Sequence, residues 1–197
     1  MFLSATDLKR EYSAGICPVA TVSPGDVVEV ATFDSYTGRI VDPEHAPAPG
    51  LLLTGPLAIE GCAAGDLVSV EILAINCRAV GVTTVRPSSG VCPAMTDTDE
   101  VRLHHLDHDR LVLPAGFISQ VRPMVGAIGL APAGAPILSL VPGRHGGNLD
   151  CRDITRGSTV YLRANVDGAL LSVGDVHARQ GYGEFCGSAV EIGADVR

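Results

Sequence analysis

Three times along this chain a four-residue turn, closed by a glycine and a small oxygen-bearing residue, opens an aliphatic run. Ser23-Pro24-Gly25-Asp26 precedes VVEVATF, Ala63-Ala64-Gly65-Asp66 precedes LVSVEILAI, and Thr155-Arg156-Gly157-Ser158 precedes TVYLRANV. Each unit reads as a strand entered from a tight turn, and the recurrence suggests a loose internal duplication. Val27 to Phe33, Leu67 to Ile75, Ser158 to Val166 and Ala169 to Val173 are the expected strands. With 23 Gly and 13 Pro punctuating the chain and no sustained helical period, the fold class is all-β or β-rich. A barrel or sandwich with few short helices is expected. One such helix is expected over 5–12, capped by Ser4 or Thr6. A length of 197 residues suits one domain over 1–197, its core drawn from Val, Leu, Ile and Ala because Trp is absent.

The formal charge of −8 speaks against nucleic acid and anionic membranes as partners. No apolar run approaches the roughly 20 residues of a membrane span. The opening MFLSATDLKREY carries charges where a signal peptide needs its apolar core, so a soluble, cytoplasmic protein is expected. Its six cysteines show no C-x-x-C or zinc-finger spacing and read as reduced thiols. Three stretches read as loops: Val41 to Gly50, Arg86 to Glu100, and Arg102 to Arg110. The last holds His104, His105 and His108, but consecutive donors do not converge on one ion, so a solvated loop is expected there. Pro114 to Pro132, apolar and rich in glycine, is expected to wall a small pocket.

Two polar clusters stand out against this background. GDVHARQGYGEFCGSAVEI (174–192) places Asp175 and His177 two apart, on one face of an extended segment, and its glycines can turn Glu184 back toward them. GRHGGNLD (143–150) offers an imidazole, an amide and a carboxylate around paired glycines. Together they predict one composite site, which requires the clusters to lie within about 12 Å of each other. Singly, Asp150 and Asp175 also read as turn residues, and His145 and His177 as buried structural histidines. Arg144 and Arg179 flank the clusters, either pairing with these acids or binding a substrate carboxylate.

Taken together, GDVHARQGYGEFCGSAVEI, HGGNLD (145–150) and VRPMVGAIGLAP (121–132) resemble the acetamidase/formamidase family. TGPLAIEG (54–61), AAGDLVSVEI and PGDVVEVATFDSYTGRI echo it more weakly. The resemblance implies a β-rich fold, a metal-containing site and homodimers or higher homo-oligomers. It also implies hydrolysis of small linear amides to ammonia and a carboxylate. Under that resemblance His145, Asp150, Asp175 and His177 would hold a divalent ion, zinc first and calcium as the alternative, to activate water. Glu184 would serve as base and acid beside Asp175 and His177. Asn148, Gln180 and the backbone at Gly146 and Gly147 would bind the substrate, with Asp34 and Glu60 as further candidates. Tyr182 stands where the family motif has a carboxylate, which supports one rival, a non-catalytic relative that binds an amide or serves as a structural subunit. A second rival uses Cys186 as nucleophile with His177 as its base and Glu184 as proton carrier, and a third is a cation-binding module on His104, His105 and His108.

Overall fold

The computed structural model describes residues 1–36, 50–87, 89–92, 96–113 and 116–197. Its strands begin with β1 (Phe2–Leu3), β2 (Glu11–Tyr12), β3 (Ala20–Val22), β4 (Glu29–Thr32), β5 (Leu53–Ile59) and β6 (Leu67–Glu71). They continue with β7 (Ile75–Cys77), β8 (Val80–Val85), β9 (Glu100–Asp107), β10 (Arg110–Val112), β11 (Ile118–Gln120) and β12 (Met124–Gly129). β13 (Ile137–Leu138), β14 (Gly146–Asn148), β15 (Thr159–Arg163), β16 (Leu171–Arg179), β17 (Val190–Ile192) and β18 (Ala194–Val196) complete them. Among the described residues no α-helix forms, and no helix is long and apolar enough to cross a membrane.

The three recurring turns share one hydrogen-bonded design. Asp26, Asp66 and Ser158 each send their N–H back to the carbonyl three residues earlier, and each side-chain oxygen accepts the N–H of that same residue. Gly25, Gly65 and Gly157 take positive φ of 92°, 99° and 84°, a conformation that favours glycine. The sequence repeat is therefore a repeat of turn chemistry.

β16 organises the main sheet. One edge pairs throughout with β12; the other is shared, with β5 alongside Leu171–Gly174 and β17 alongside Val176–Arg179. From β17 the sheet runs through β8, β9, β10 and β11, and β14 flanks β12. A second sheet, ordered β1-β4-β18-β7, and two ribbons, β13-β2 and β15-β6, complete a layered, sandwich-like fold without a closed barrel. The largest core cluster joins Val125 and Ile128 of β12, Val173 and Val176 of β16, Ile192 of β17 and Val196 of β18. β12 is buried along its whole length, which suits its near-continuous apolar sequence.

Some expectations are corrected here. Instead of a helix over 5–12, Lys9 bridges Leu53 and Tyr12 lies in β2, buried against Leu51, Leu53 and Ala127. An isolated helix of eight residues is marginal in water, and burying Tyr12 outweighs it. The histidine run at 102–110 is no solvated loop: it supplies β9 and enters β10, and His104 is buried with Nε2 3.1 Å from Thr83 Oγ1. Leu67 to Ile75 is two strands, because the chain leaves β15 after Glu71 and joins β18 at Ile75. The 86–100 loop carries no strand among its described residues until Glu100. The expected loop at 41–50 lies, Gly50 apart, outside the described residues. The 114–132 passage becomes mainly β12, a strand that walls the site from within.

Candidate active site

Val173 and Val176 both enter the main core, although plain strand alternation sends residues three apart to opposite faces. The break lies at Asp175, whose φ is +53°, where β16 passes from β5 to β17. The residue thus stands where two neighbouring strands diverge, and Ser35, just beyond β4, reaches it there with a short hydrogen bond. Asp175 Oδ2 lies 3.3 Å from His177 Nε2, as the two-residue spacing predicts.

Across β12, Gly126 brings the second cluster in. Its carbonyl accepts the N–H groups of Leu149 and Asp150 at 2.8 and 3.1 Å, and Asp150 Oδ1 comes to 3.9 Å from His177 Nδ1. The two clusters meet. Gly126 has no room for a side chain, since a Cβ would lie 2.5 Å from Asp175 Oδ2, 2.8 Å from its carbonyl and 3.0 Å from Asp150 Oδ1. Gly126→Ala is expected to lose about 1–3 kcal/mol by this overpacking, read as an earlier midpoint in urea unfolding; an unchanged midpoint would refute the tight fit.

The imidazole of His177, fully buried at 1% exposure, has two unlike sides. Nε2 faces Asp175 and also Glu191 Oε2 at 3.2 Å. Ser35 Oγ stands between these two carboxylates, its one proton shared between Asp175 and Glu191 Oε2 at 2.8 Å, and Glu191 Oε1 accepts the Ala189 N–H at 3.1 Å. Every polar atom on this side has a polar neighbour within 3.3 Å. Nδ1 faces Gln180 Oε1 at 3.2 Å, Asp150 Oδ1 at 3.9 Å and Glu184 Oε1 at 4.0 Å. On this side Asp150 Oδ1, Glu184 Oε1 and Gln180 Nε2 are buried without hydrogen-bond partners, as is Asn148 Oδ1 nearby. Buried polar atoms without partners are rare in folded proteins. Asp150, Asp175 and His177 form one group whose donor atoms lie within 4.8 Å of one another, and His177, Glu184 and Glu191 form another. Orphaned carboxylate oxygens facing one imidazole nitrogen fit a divalent cation.

Burial, followed by the neighbouring Asp150 carboxylate, pushes Glu184 up to about 7. Burial and then Asp175 push Asp150 up to about 6. Burial opposes charge on His177, yet Glu191 and Asp175 outweigh it and hold the imidazole well above its ordinary value. For Asp175 too, burial opposes charge, but His177 and the hydrogen bonds of Ser35 and Glu191 keep it below the ordinary range. Raised acids bind protons in the fold that the unfolded chain has released, so each stabilises at low pH and loses that contribution as pH climbs through its folded pKa. His177 acts in the same direction at higher pH, and Asp175 acts oppositely as pH falls below its unfolded value. Metal-free protein is therefore expected to melt progressively lower between pH 5 and 8, with the slope reduced in Glu184→Gln. Calorimetry across that range checks it, and a rising Tm would contradict the assignment.

Three of the six non-glycine residues with positive φ among the described residues lie here. Asp150, Asp175 and Glu184 have φ of +44°, +53° and +39°, in a region that costs about 1–3 kcal/mol for such a residue.

His145 stands outside both donor groups. Its ring meets Tyr12 edge-on at 5.0 Å between centroids, with Nε2 unpartnered. Gly146 spends its N–H on the Gly143 carbonyl, and Gly147 pairs with Ile128. The Cys186 thiol donates to the Ser188 carbonyl at 3.3 Å. Asp34 accepts the Tyr36 N–H, Glu60 is exposed and accepts from Ser23, Arg144 is exposed, and Arg179 donates to the Gln120 carbonyl. Sequence reasoning missed Glu191 and Ser35. Glu191 is the one charged letter in the terminal VEI run, and a charge inside a buried strand is the signal that marks it.

The sequence profile of the Acetamidase/Formamidase family matches residues 78–197. The crystal structure of an acetamidase from Bacillus halodurans superposes with a TM-score of 0.97 at 37% identity, covering 100% of this chain and 68% of that one. An acetamidase of Mycolicibacterium smegmatis is 27% identical over 264 residues, taking in 93% of this chain and 63% of its own length. A formamidase of Methylophilus methylotrophus is 26% identical over 239 residues, with 88% and 58% covered. The chain thus spans about three fifths of these two relatives. Both alignments are longer than its 197 residues, so the relatives carry internal segments without a counterpart here.

Proposed function

Because this chain belongs to the acetamidase/formamidase family, we propose that it hydrolyses the carbon–nitrogen bond of small linear amides, releasing ammonia and a carboxylate. The one-sided imidazole supports this reading most directly. Its Nε2 side is closed by the Asp175 and Glu191 carboxylates, while its Nδ1 side gathers orphaned acceptors on Asp150 and Glu184 and an orphaned donor on Gln180, with the orphaned Asn148 acceptor beside Asp150. A primary amide offers one acceptor for the Gln180 donor and two donors for two of those three acceptors.

A divalent ion, zinc in preference to calcium given the imidazole in the donor set, would be held by Asp150, Asp175 and His177 and would supply Lewis acidity toward the carbonyl and water. Glu184, drawn up to about 7, takes the proton of the attacking water on Oε1 and passes it to the departing nitrogen. Gln180 Nε2 donates to the carbonyl oxygen as charge develops there. Asn148 Oδ1 accepts from the amide nitrogen and so orients the scissile bond. Glu191 and Ser35 hold the imidazole and Asp175 from behind. The full reading is a cytoplasmic, homo-oligomeric enzyme, and sedimentation tests the self-association.

Ammonia release from formamide, acetamide and longer primary amides, followed on metal-stripped and zinc- or calcium-restored protein, tests the proposal. Turnover is expected only with the ion present. Folded protein that releases no ammonia under any of these conditions would sink the hydrolase reading.

A further inference from the structure

β6 has a strand partner on one edge alone. It pairs with β15 in a register without a bulge, and the bonds at the two ends of that ribbon show which backbone groups the pairing uses. Ile72 donates its N–H to the Ser158 carbonyl at 2.9 Å, and the Asp66 carbonyl accepts the N–H of Ala164 at 2.8 Å. Hydrogen-bonded positions alternate along an antiparallel pair, so Asp66, Val68, Val70 and Ile72 turn their backbone groups to β15. Leu67, Ser69 and Glu71 turn theirs the other way, where no strand meets them among the described residues. The next position of that set, Leu73, is met. Its N–H donates to the Arg197 carbonyl at 2.6 Å, and Arg197 and Ala74 exchange bonds at 2.9 and 3.1 Å. Strand addition to this edge therefore already reaches Leu73 within the fold and leaves Leu67, Ser69 and Glu71 open. Open edges are commonly blunted by Pro, Lys or a bulge, and the LVSVE sequence of β6 has none of these.

A cleft of about 860 Å³ is lined without a break by positions 66–73 and also by 22–28. Both faces of β6 take part: Val68 and Val70 belong to the core side, while Ser69 and Glu71 are exposed on the other. With β15 covering the far edge, the cleft reaches both faces across the open one. Leu57 of β5 and Leu171 and Val173 of β16 add aliphatic surface to it. At about 3.3 Å per residue, the edge from 67 to 73 is about 20 Å long and suits an extended segment of about six residues. Charge around the cleft is one-sided. Asp26, Glu60, Asp66 and Glu71 line it, all exposed, against a single base, Arg197. A second copy meeting this edge across a twofold axis would bring Asp66 and Glu71 against the same acids, and like charges facing across paired strands destabilise them. We propose that the open edge of β6 docks an extended segment of a partner polypeptide with aliphatic residues at alternate positions and Lys or Arg between them. Its main chain bonds to Leu67, Ser69 and Glu71, its aliphatic side chains enter the cleft, and its basic ones meet the carboxylates. This surface uses none of the polar groups around His177.

Two fluorescein-labelled peptides, VKVRVKV and VEVEVEV, test the proposal on the whole chain, with Kd from fluorescence polarisation and the docking site from amide exchange by NMR. VKVRVKV is expected to bind at least about tenfold more tightly than VEVEVEV, from several charge pairs of modest worth each. At about nine-tenths occupancy it is expected to slow exchange about tenfold at Leu67, Ser69 and Glu71, while Val68 and Val70, bonded to β15, change little. Glu71→Lys is expected to weaken VKVRVKV about three- to tenfold. Ser69→Pro removes one edge N–H without touching a bond to β15 and is expected to weaken it as well; melting curves show that each variant is folded. Equal binding of the two peptides, protection that falls on other amides, or an unchanged Kd in Glu71→Lys overturns the proposal. A chain that self-associates in sedimentation and comes apart in Glu71→Lys also overturns it, because the edge then belongs to a second copy.

Discussion

Glu184→Gln is expected to release ammonia about 10²–10⁴ times more slowly than the native chain, while melting higher than it in metal-free buffer at pH 8. Glutamine keeps the shape and hydrogen-bonding reach of the residue but cannot carry the proton. The stability gain has the same origin as the chemistry. Burial and the Asp150 carboxylate push Glu184 up to about 7, so ionising it in the fold is unfavourable, and the neutral amide removes that penalty. Ammonia assays and calorimetry on the same preparations check both halves, and native turnover in the variant would take Glu184 out of the reaction.

His177→Ala is expected to have the largest effect on stability. In the metal-free chain the His177 imidazolium offsets the charge of the carboxylates it faces, Asp175 and Glu191, both almost fully buried. Removing one partner of such a group strands the other charge and typically costs about 3–5 kcal/mol. For a chain of this size that corresponds to a fall in Tm of about 6–20 °C. The deficit should shrink at pH 4, where the stranded Asp175 carboxylate, deprived of the imidazolium that holds it low, binds a proton instead. Urea unfolding at pH 7 and pH 4 measures both numbers, and a loss below about 1 kcal/mol at pH 7 would mean that the trio is not the buried charge network described.

The strand content and the three turns were legible because turn chemistry is local: an oxygen-bearing side chain after glycine suffices to dictate each of them. The composite site was legible for the same reason, since Asp175, His177, Asp150 and Glu184 sit in glycine-rich segments whose backbone can turn them together. What escaped depends on pairing partners far away in the chain. Glu191 looks like a stray charge in a core strand until Ser35 and His177, 156 and 14 residues away, are brought beside it. Ser35 carries no signal of its own beside the more conspicuous Asp34 carboxylate. The histidines of 102–110 mask a strand signal that begins just before them, where Glu100, Val101, Arg102 and Leu103 alternate as a strand should, and Val101 and Leu103 pack toward Tyr36 and Val82. Lys9 and Tyr12 followed a helical pattern but are claimed by Leu53 and by β13.

The left-handed backbone at Asp150, Asp175 and Glu184 also sets the terms on which this lineage can change. At each position glycine would sit more comfortably than the acid. At Asp150 and Glu184, whose charged forms burial also disfavours, selection for robustness alone would drift toward glycine, whereas Asp175 is held in place by its pairing with His177. On the proposed chemistry, purifying selection on activity works against that bias, and a duplicate freed from it would lose Asp150 and Glu184 first.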